Sequence, residues 1–418
     1  MRAQPAGHDS AADRAMLGAR ETIRRVFGET TRPDERPAPA SSEAGTSLTL
    51  AEVLKVANER NPTFAEFEAG REAARAEVLQ ARAYPNPELE LSAGTGYGLE
   101  LRQPIELPAK RRARRAAAEI SEEIVRREAE VFRATLRADV SRAFHTVLYY
   151  KRSAALAVET HRIAQEIERV VARRVESGEA PEIDRIKARV ETLRAARAVQ
   201  AHQRSLRVWR AVLNTLCGRA LAANFDLADS FRSTPPTADS NKAREIALAQ
   251  HPTLRRLGEV VRQKQLVVRR EQKAWYPDLT PGLNIGADAS VGALLGIELP
   301  LWYRNRGGIA AAQAGLRRAE AELARTRQEI ERDVETAVQA YESAREQLAA
   351  FDAGLRAGAA ESLRIETSLY EQGETEFLQL LDARRTAQQT ETEFLQALYD
   401  GTIARAELER AIGIGGDE

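Results

Sequence analysis

Hydrophobic and polar positions follow two different periods along the chain. Apolar side chains alternate with small or polar ones within residues 88–105 and 279–299, which is typical of strands with one apolar face. Neither proline nor glycine interrupts the stretch between Pro108 and Gly178, and no proline follows Pro300, so long helices are permitted there. One helix over residues 111–177 would span about 100 Å, and it would have to pack lengthwise in a bundle or tube.

An internal repeat divides the chain into two halves with the same plan. Each half predicts a helix, a Tyr-Pro break, a β-hairpin and a long helical hairpin with a glycine at its tip. Four landmarks recur in the same order at offsets between 190 and 195 residues: Asn61–Thr63 with His251–Thr253, Tyr84–Asn86 with Tyr276–Asp278, Asp139–Val140 with Asp333–Val334, and Gly178–Glu179 with Gly373–Glu374. We therefore predict a disordered leader over 1–46, repeats over 47–235 and 236–413, and a tail over 414–418.

The hairpins have the size expected of membrane strands. Each predicted strand is about nine to eleven residues long, enough for a tilted strand to cross a bilayer. Aromatic residues flank the hairpin feet, as in the girdles of transmembrane barrels: Tyr84, Trp275, Tyr276, Trp302 and Tyr303. Four strands cannot close a barrel and open edges cannot face lipid, so a spanning barrel requires several chains. Soluble hairpins packed on helices would show the same alternation, and that alternative stays open.

Composition excludes several other classes. Lys+Arg and Asp+Glu both number 62, without the basic excess of a nucleic-acid-binding protein. No apolar run is long enough for a transmembrane helix, and the N-terminus carries no signal-peptide pattern. The histidines have no metal-ligand spacing, and neither a catalytic triad nor a phosphate loop is present, so we predict a non-enzyme without cofactors. The single cysteine, Cys217, is expected in the core.

Several short motifs in this order resemble the TolC-like outer-membrane efflux family over residues 47–413. They include Leu48–Leu54 with Asn61–Pro62, Pro85–Leu89 entering the first strand, and Tyr276–Leu279 with Leu299–Leu301 in the second half. Gln103–Leu107 followed by Lys110–Arg111 is most similar to the cobalt–zinc–cadmium branch.

This resemblance implies a homotrimer. Its twelve strands would form a β-barrel in the outer membrane, and twelve long helices would form an α-barrel tunnel through the periplasm. It also implies docking to a periplasmic adaptor (membrane fusion) protein and, through it, to an inner-membrane RND transporter, with export of heavy-metal cations or small toxic compounds. The same fold serves type I protein secretion, and a soluble coiled-coil protein is a further alternative. A periplasmic adaptor is disfavoured by the duplication.

The resemblance also implies roles for particular residues. The helical tips would contact the adaptor through Gly178, Glu179, Ile183, Asp184, Gly373, Glu374, Leu378 and Leu381. The periplasmic aperture would be lined by Asp382, with Gln379 where the family often has a second acid, and with Glu374 and Glu376 nearby. Three copies of Asp382 would form a ring that favours cations. The alternative is a solvated acid on the helix face, with Arg385 three residues on as a partner. The barrel lumen would be lined by Glu88, Glu90, Glu100, Arg102, Asn284 and Asp288.

Overall fold

The computed structural model of the protein describes residues 47–93, 97–222, 224–228, 231, 239–286, 290–297 and 304–413. The predicted leader and tail lie outside these residues. Each half of the described chain has two short helices, two strands and a long helical hairpin. The first half contains α1 Leu50–Arg60, α2 Thr63–Arg82, β1 Glu88–Ala93, β2 Tyr97–Arg102, α3 Pro108–Glu176 and α4 Glu182–Leu216. The second half contains α5 Ser240–Gln250, α6 Pro252–Lys273, β3 Leu279–Ile285, β4 Val291–Ile297, α7 Arg306–Ala350, a π-helical turn Phe351–Leu355, α8 Arg356–Gln372 and α9 Phe377–Ile412.

Local caps explain where the helices begin. Thr49 and Glu52 form a reciprocal capping box at the start of α1, in which the Glu52 carboxylate accepts the Thr49 N–H at 2.8 Å. At the α1–α2 junction, the Asn61 side chain accepts the N–H of Thr63 at 3.0 Å, which satisfies a free donor of α2.

Corresponding positions of the two halves build two similar cores. In the first half, α1, the middle of α3 and the end of α4 bury Val53, Ala57, Val140, Leu213 and Cys217. In the second, α5, α7 and α9 bury their counterparts Ala243, Ala247, Val334, Leu408 and Ile412. Cys217 is a core residue as predicted, and burial raises the pKa of its thiol to about 11.

The second long helix is interrupted, which the absence of proline did not predict. Helix α3 runs for 69 residues without a break. Its counterpart α7 ends at Ala350. A π-helical turn, in which Gly354 has a φ of 114°, then connects α7 to α8. A single π turn inserted in an α-helix bends the axis. Across this bend the Arg356 guanidinium lies 3.9 Å from the Phe394 ring centroid and pairs with Glu391 at 2.9 Å.

The four strands form one antiparallel sheet in the order β1-β2-β3-β4. The two hairpins are joined by pairing between β2 and β3, from Leu99 opposite Ile285 to Arg102 opposite Gly282. The strands span six residues in the first hairpin and seven in the second, so the prediction of nine to eleven was too long. Residues 298–299 of the predicted second hairpin lie outside the described chain.

Candidate functional site

The register of the sheet brings the predicted lumen residues together on one face. Directly opposed residues of antiparallel strands share a face, and Glu88 lies opposite Arg102, Glu90 opposite Glu100, and Glu100 opposite Asn284. Arg102 donates to Glu100 at 2.6 Å and lies 3.7 Å from Glu90. Asp288 lies outside the described residues.

Glycines lie opposite polar residues on this same face. Gly98 pairs with Ser92, Gly292 with Asn284, and Gly296 with Thr280. A Cβ atom added at Gly292 would come within 2.2 Å of the Asn284 side chain. The small residues leave room for their polar partners, and they allow the sheet to curve toward the polar face.

The opposite face of the sheet is apolar and exposed in the single chain. It carries leucine, isoleucine and valine side chains between 36% and 78% accessible: Leu89, Leu91, Leu101, Leu279, Leu283, Ile285, Val291, Leu295 and Ile297. The outer edges of β1 and β4 have no strand partner among the described residues. An apolar band of this kind on a monomer marks a surface that contacts a membrane or another protein.

Aromatic and basic side chains meet at the foot of the sheet, where the strands join the helices. The Arg111 guanidinium lies 4.2 Å from the ring centroid of Tyr84, and the Lys273 ammonium lies 4.8 Å from that of Tyr276. Trp275 packs beside Tyr276 with ring centroids 5.0 Å apart. Trp302 and Tyr303, predicted to join this girdle, lie outside the described residues.

The two helical tips share one turn geometry. Gly178 and Gly373 have φ values of 82° and 79°, a left-handed conformation that favours glycine. The N–H of Glu179 reaches back to the carbonyl of Arg174 at 2.8 Å, and that of Glu374 to Leu369 at 2.9 Å. Both turns are therefore Schellman-type C-caps that end one long helix and start the next.

Side chains predicted to contact an adaptor divide into two groups. Ile183 and Leu378 are exposed, as are the tip residues Glu179 and Glu374. Leu381 is buried against Val171, Ala188, Tyr370 and Phe377 in the core of the tip. Its predicted surface position is wrong, because α9 turns Phe377, Leu380 and Leu381 inward together. Asp184 is mostly covered and lies 3.7 Å from Lys187.

The residues predicted to line the aperture also differ in their surroundings. Asp382 is exposed and has no ion-pair partner among the described residues. Arg385 does not pair with Asp382, since Arg385 binds Glu191 of α4 at 2.7 Å. The alternative of a solvated acid on the helix face therefore stays open without that pair. Gln379 and Glu376 form a reciprocal capping box at the start of α9. These two side chains are thus occupied by the helix terminus.

Two links between the helical hairpins were missed by sequence reasoning. Arg174 of α3 donates to the Tyr370 carbonyl of α8 at 2.7 Å and stacks on its ring at 4.6 Å. Glu191 accepts from Arg194 and Arg385. Burial opposes ionisation of Glu191, but the hydrogen bonds and charges of these arginines outweigh it and lower its pKa. The linked residues are almost 200 positions apart, and no local pattern joins them.

Over their lengths, helix α3 packs along α4 and α9, and α9 also packs along α8. Helices α4 and α8 each carry an exposed stripe with alternating spacings of three and four residues, the spacing of a coiled-coil seam. On α4 the stripe consists of Ile183, Ile186, Val190 and Leu193, which are 41–62% accessible. On the π turn and α8 it consists of Leu355, Gly358, Ser362 and Ile365.

No helix among the described residues combines the length and apolar character needed to cross a bilayer. No group of three His, Cys, Asp or Glu side chains in this part of the chain is placed to hold a metal ion.

Long helical hairpins attached to an amphipathic sheet are the features expected of an outer-membrane efflux channel. The family model for outer membrane efflux proteins matches residues 53–219 and 243–414, and the chain belongs to this family. It is similar to the cobalt-zinc-cadmium resistance protein CzcC of Cupriavidus metallidurans, with 28% identity covering 89% of this chain and 91% of the relative.

A second relative and a solved structure are also similar to the chain. The nickel-cobalt-cadmium resistance protein NccC of Alcaligenes xylosoxydans xylosoxydans is 28% identical over 68% of either chain. A crystal structure of CusC, solved in work on folding and transmembrane channel formation, matches with a TM-score of 0.75 and 17% identity, covering 92% of this chain and 99% of that one. At that identity the match describes the fold alone.

Proposed function

We propose that the protein is the exit duct of a tripartite RND-type efflux system in the outer membrane. The observation that carries this proposal is the amphipathic sheet, polar on one face and exposed and apolar on the other, with two open edges. Its polar face holds Glu88, Glu90, Glu100 and Arg102. In lipid such edges must be paired, so the sheet is complete only in a closed assembly.

The working unit is a homotrimer closed head to tail. Strand β4 of one copy pairs with β1 of the next, and the stripe on α4 packs against the stripe on α8 of the neighbouring copy. Both contacts join an element at one edge of the chain to an element at the other, which is the geometry that produces a ring. Three copies supply twelve strands for the barrel and twelve long helical segments for the tunnel.

The polar face of the sheet lines the lumen. Its glycines favour curvature toward that face, and small residues are common on the crowded inner side of barrels. Glu88, Glu90, Glu100, Arg102 and Asn284 would then face the transported solute, and Asp288 is proposed to join them. The apolar face contacts outer-membrane lipid.

The helical tips dock a periplasmic adaptor that connects the duct to an inner-membrane RND transporter. We assign this contact to the exposed tip residues Gly178, Glu179, Ile183, Gly373, Glu374 and Leu378. Asp184, which is mostly covered, supports the turn instead of contacting the adaptor. The repeat boundaries predicted above, 47–235 and 236–413, describe one helical hairpin each. The two stretches matched by the family model support that division.

Asp382 is the best candidate for an acidic ring at the periplasmic aperture. It is exposed, close to the tip and free of described ion pairs. Glu374 is exposed nearby, whereas Gln379 and Glu376 contribute less because they cap α9. A ring of carboxylates favours cations over anions.

The proposed cargo is heavy-metal cations or other small toxic compounds. Support comes from the relatives, which are named for resistance to cobalt, zinc, cadmium and nickel. The lumen face, which carries three glutamates and one arginine, suits cations. Type I protein secretion is the alternative within the same fold.

Cell fractionation tests the proposal first. The chain is expressed with an exported leader, and we expect a trimer in the outer membrane that only detergent extracts. A deletion strain is then expected to gain sensitivity to cobalt, zinc or cadmium salts. Recovery as a soluble species would refute membrane insertion and favour a structural coiled-coil protein. Normal metal tolerance combined with loss of a secreted protein would instead support type I secretion.

A further inference from the structure

The foot of the sheet carries arginines that no carboxylate of the described residues neutralises. The segment Lys110–Arg115 at the start of α3 contains five basic residues. Three are paired: Lys110 with Asp278 at 2.9 Å, Arg114 with Glu106 at 2.9 Å, and Arg115 with Glu119 at 2.7 Å. Arg111 and Arg112 have no ion pair within the described chain. The local charge is therefore positive at two defined side chains.

Arg111 is held in place by an aromatic ring. Its guanidinium lies 4.2 Å from the centroid of Tyr84, a ring that is itself 61% accessible. Stacking uses the face of the guanidinium and leaves its N–H edge available for an acceptor. The arrangement positions a cation beside an amphipathic ring, without a carboxylate to occupy its donors.

The second repeat places a similar group at the same level. The Lys273 ammonium lies 3.0 Å from the Tyr276 hydroxyl, and Trp275 beside it is 44% accessible. Asn305 donates to the carbonyl of Glu271 at 3.0 Å, which fixes the start of α7 close to this aromatic pair. The exposed Arg304 and Arg306 flank Asn305, and neither has an ion pair among the described residues.

We infer that this basic foot, comprising Arg111, Arg112, Lys273, Arg304 and Arg306 with their aromatic neighbours, binds acidic phospholipid head groups. The foot adjoins the sheet, since Lys110 of the same segment pairs with Asp278 just before β3. The exposed apolar face of that sheet supplies the contact for acyl chains. Unpaired guanidinium groups complement the phosphate of a phosphatidylglycerol-type lipid through two parallel N–H donors. Basic residues at a membrane surface attract acidic lipids in this way.

The inference rests on the proposed insertion of the sheet into a bilayer, so the test reports insertion separately. The full chain carrying Trp209→Phe and Trp302→Phe is reconstituted into phosphatidylcholine vesicles that contain a minor fraction of dibrominated lipid. The bromine is placed on phosphatidylcholine in one series and on phosphatidylglycerol in the other. Quenching of the remaining tryptophan, Trp275, measures which lipid lies beside the foot.

For the unmodified foot we expect stronger quenching by brominated phosphatidylglycerol than by brominated phosphatidylcholine. The difference should correspond to a preference for phosphatidylglycerol of about fivefold for each arginine. The double variant Arg111→Gln/Arg112→Gln is expected to lose most of this preference. Arg115→Gln removes a charge from the same segment that is already paired, and it is expected to retain the preference. Circular dichroism confirms that each variant keeps its helical content.

Equal quenching by the two lipids in the unmodified foot would overturn the inference and leave insertion intact. Retention of the preference in the double variant, or equal loss in Arg115→Gln, would also overturn it. Absence of quenching by brominated phosphatidylcholine would show that the sheet does not enter the bilayer. That outcome would remove the proposed membrane function together with the lipid site.

Discussion

The Nδ1 atom of His251 accepts a hydrogen bond from the backbone N–H of Thr253 at 3.2 Å, so an imidazole caps helix α6. Asn61 makes the equivalent bond to Thr63 in the first repeat. An imidazole accepts at Nδ1 only when that nitrogen is unprotonated. Burial, followed by the charge of Arg410, lowers the pKa of His251, in keeping with a neutral ring in the folded protein.

This cap predicts a stability that depends on pH. The histidine pKa is about 6.5 in the unfolded chain and lower in the folded one. The His251 cap therefore contributes its full share to the free energy of unfolding above pH ~6.5, and this share declines below that pH. Protonation should cost about 1 kcal/mol, the usual value of an N-cap. His251→Asn restores the cap found in the first repeat and should remove this decline, as measured by thermal unfolding at pH 8 and pH 5. An unchanged pH profile in the variant would contradict the role of the imidazole.

Replacing Arg174 with lysine should loosen the second tip. Lysine can hydrogen-bond the Tyr370 carbonyl, but it cannot stack on the ring and donate in the same planar geometry. Because only the contact with the ring is lost, we expect amide hydrogen exchange of residues 369–374 to accelerate, with a loss of about 0.5–2 kcal/mol in local opening free energy. Arg173→Lys, at an exposed neighbouring position, serves as the control. Equal exchange in both variants would count against the link.

Gly354→Ala should destabilise the protein because alanine disfavours a φ of 114°. We expect a cost of about 1–3 kcal/mol in the free energy of unfolding, measured by chemical denaturation. Gly315→Ala lies within regular α7, where a Cβ meets no atom within 4 Å. That substitution should stabilise the protein by about 0.5–1 kcal/mol. A stabilising effect at Gly354 would mean that the π turn readily returns to regular helix.

Neighbouring residues of β1 allow a matched test of the two sheet faces. Leu91→Arg puts a charge on the apolar face and should reduce the detergent-extractable outer-membrane fraction, because arginine costs about 2–4 kcal/mol at the bilayer midplane. Ser92→Arg puts the same charge on the polar face and should insert normally. Equal insertion of both variants would show that the apolar face does not contact lipid.

Substitution of Asp382 should change ion selectivity if the proposed aperture ring exists. In planar bilayers under a salt gradient, Asp382→Asn is expected to shift the reversal potential toward lower cation preference. Glu376→Gln is the comparison, since Glu376 is engaged in the α9 capping box. It should preserve selectivity and weaken the start of α9 instead. An identical reversal potential for Asp382→Asn would place the selectivity determinant elsewhere.

Local sequence signals account for much of this architecture. Gly178 and Gly373 indicated the two tips because their left-handed turns favour glycine, and the alternation in both hairpins indicated strands. Long helices followed from the absence of proline. The pairing register of β1 and β2 also follows the alternation of apolar and polar residues. The sequence therefore predicted that Glu88 and Glu100 lie on one face of the sheet.

Other features depend on tertiary packing that no local pattern encodes. The π turn was missed because Gly354 lies among good helix formers, and its conformation depends on contacts such as Arg356 with Glu391. Leu381 was assigned to the surface because its burial requires Tyr370 and Val171 from other helices. The pairing of Arg385 with Glu191, rather than with nearby Asp382, likewise depends on how the hairpins pack.

The uninterrupted α3 and the interrupted α7–α8 give the two repeats different mechanical roles. A continuous helix of 69 residues acts as a stiff strut that carries load along its axis. A column broken by a π turn with Gly354 yields first under the same load. The two repeats therefore differ in stiffness, so a force applied at both tips would be carried along α3 and would bend the other column at Gly354.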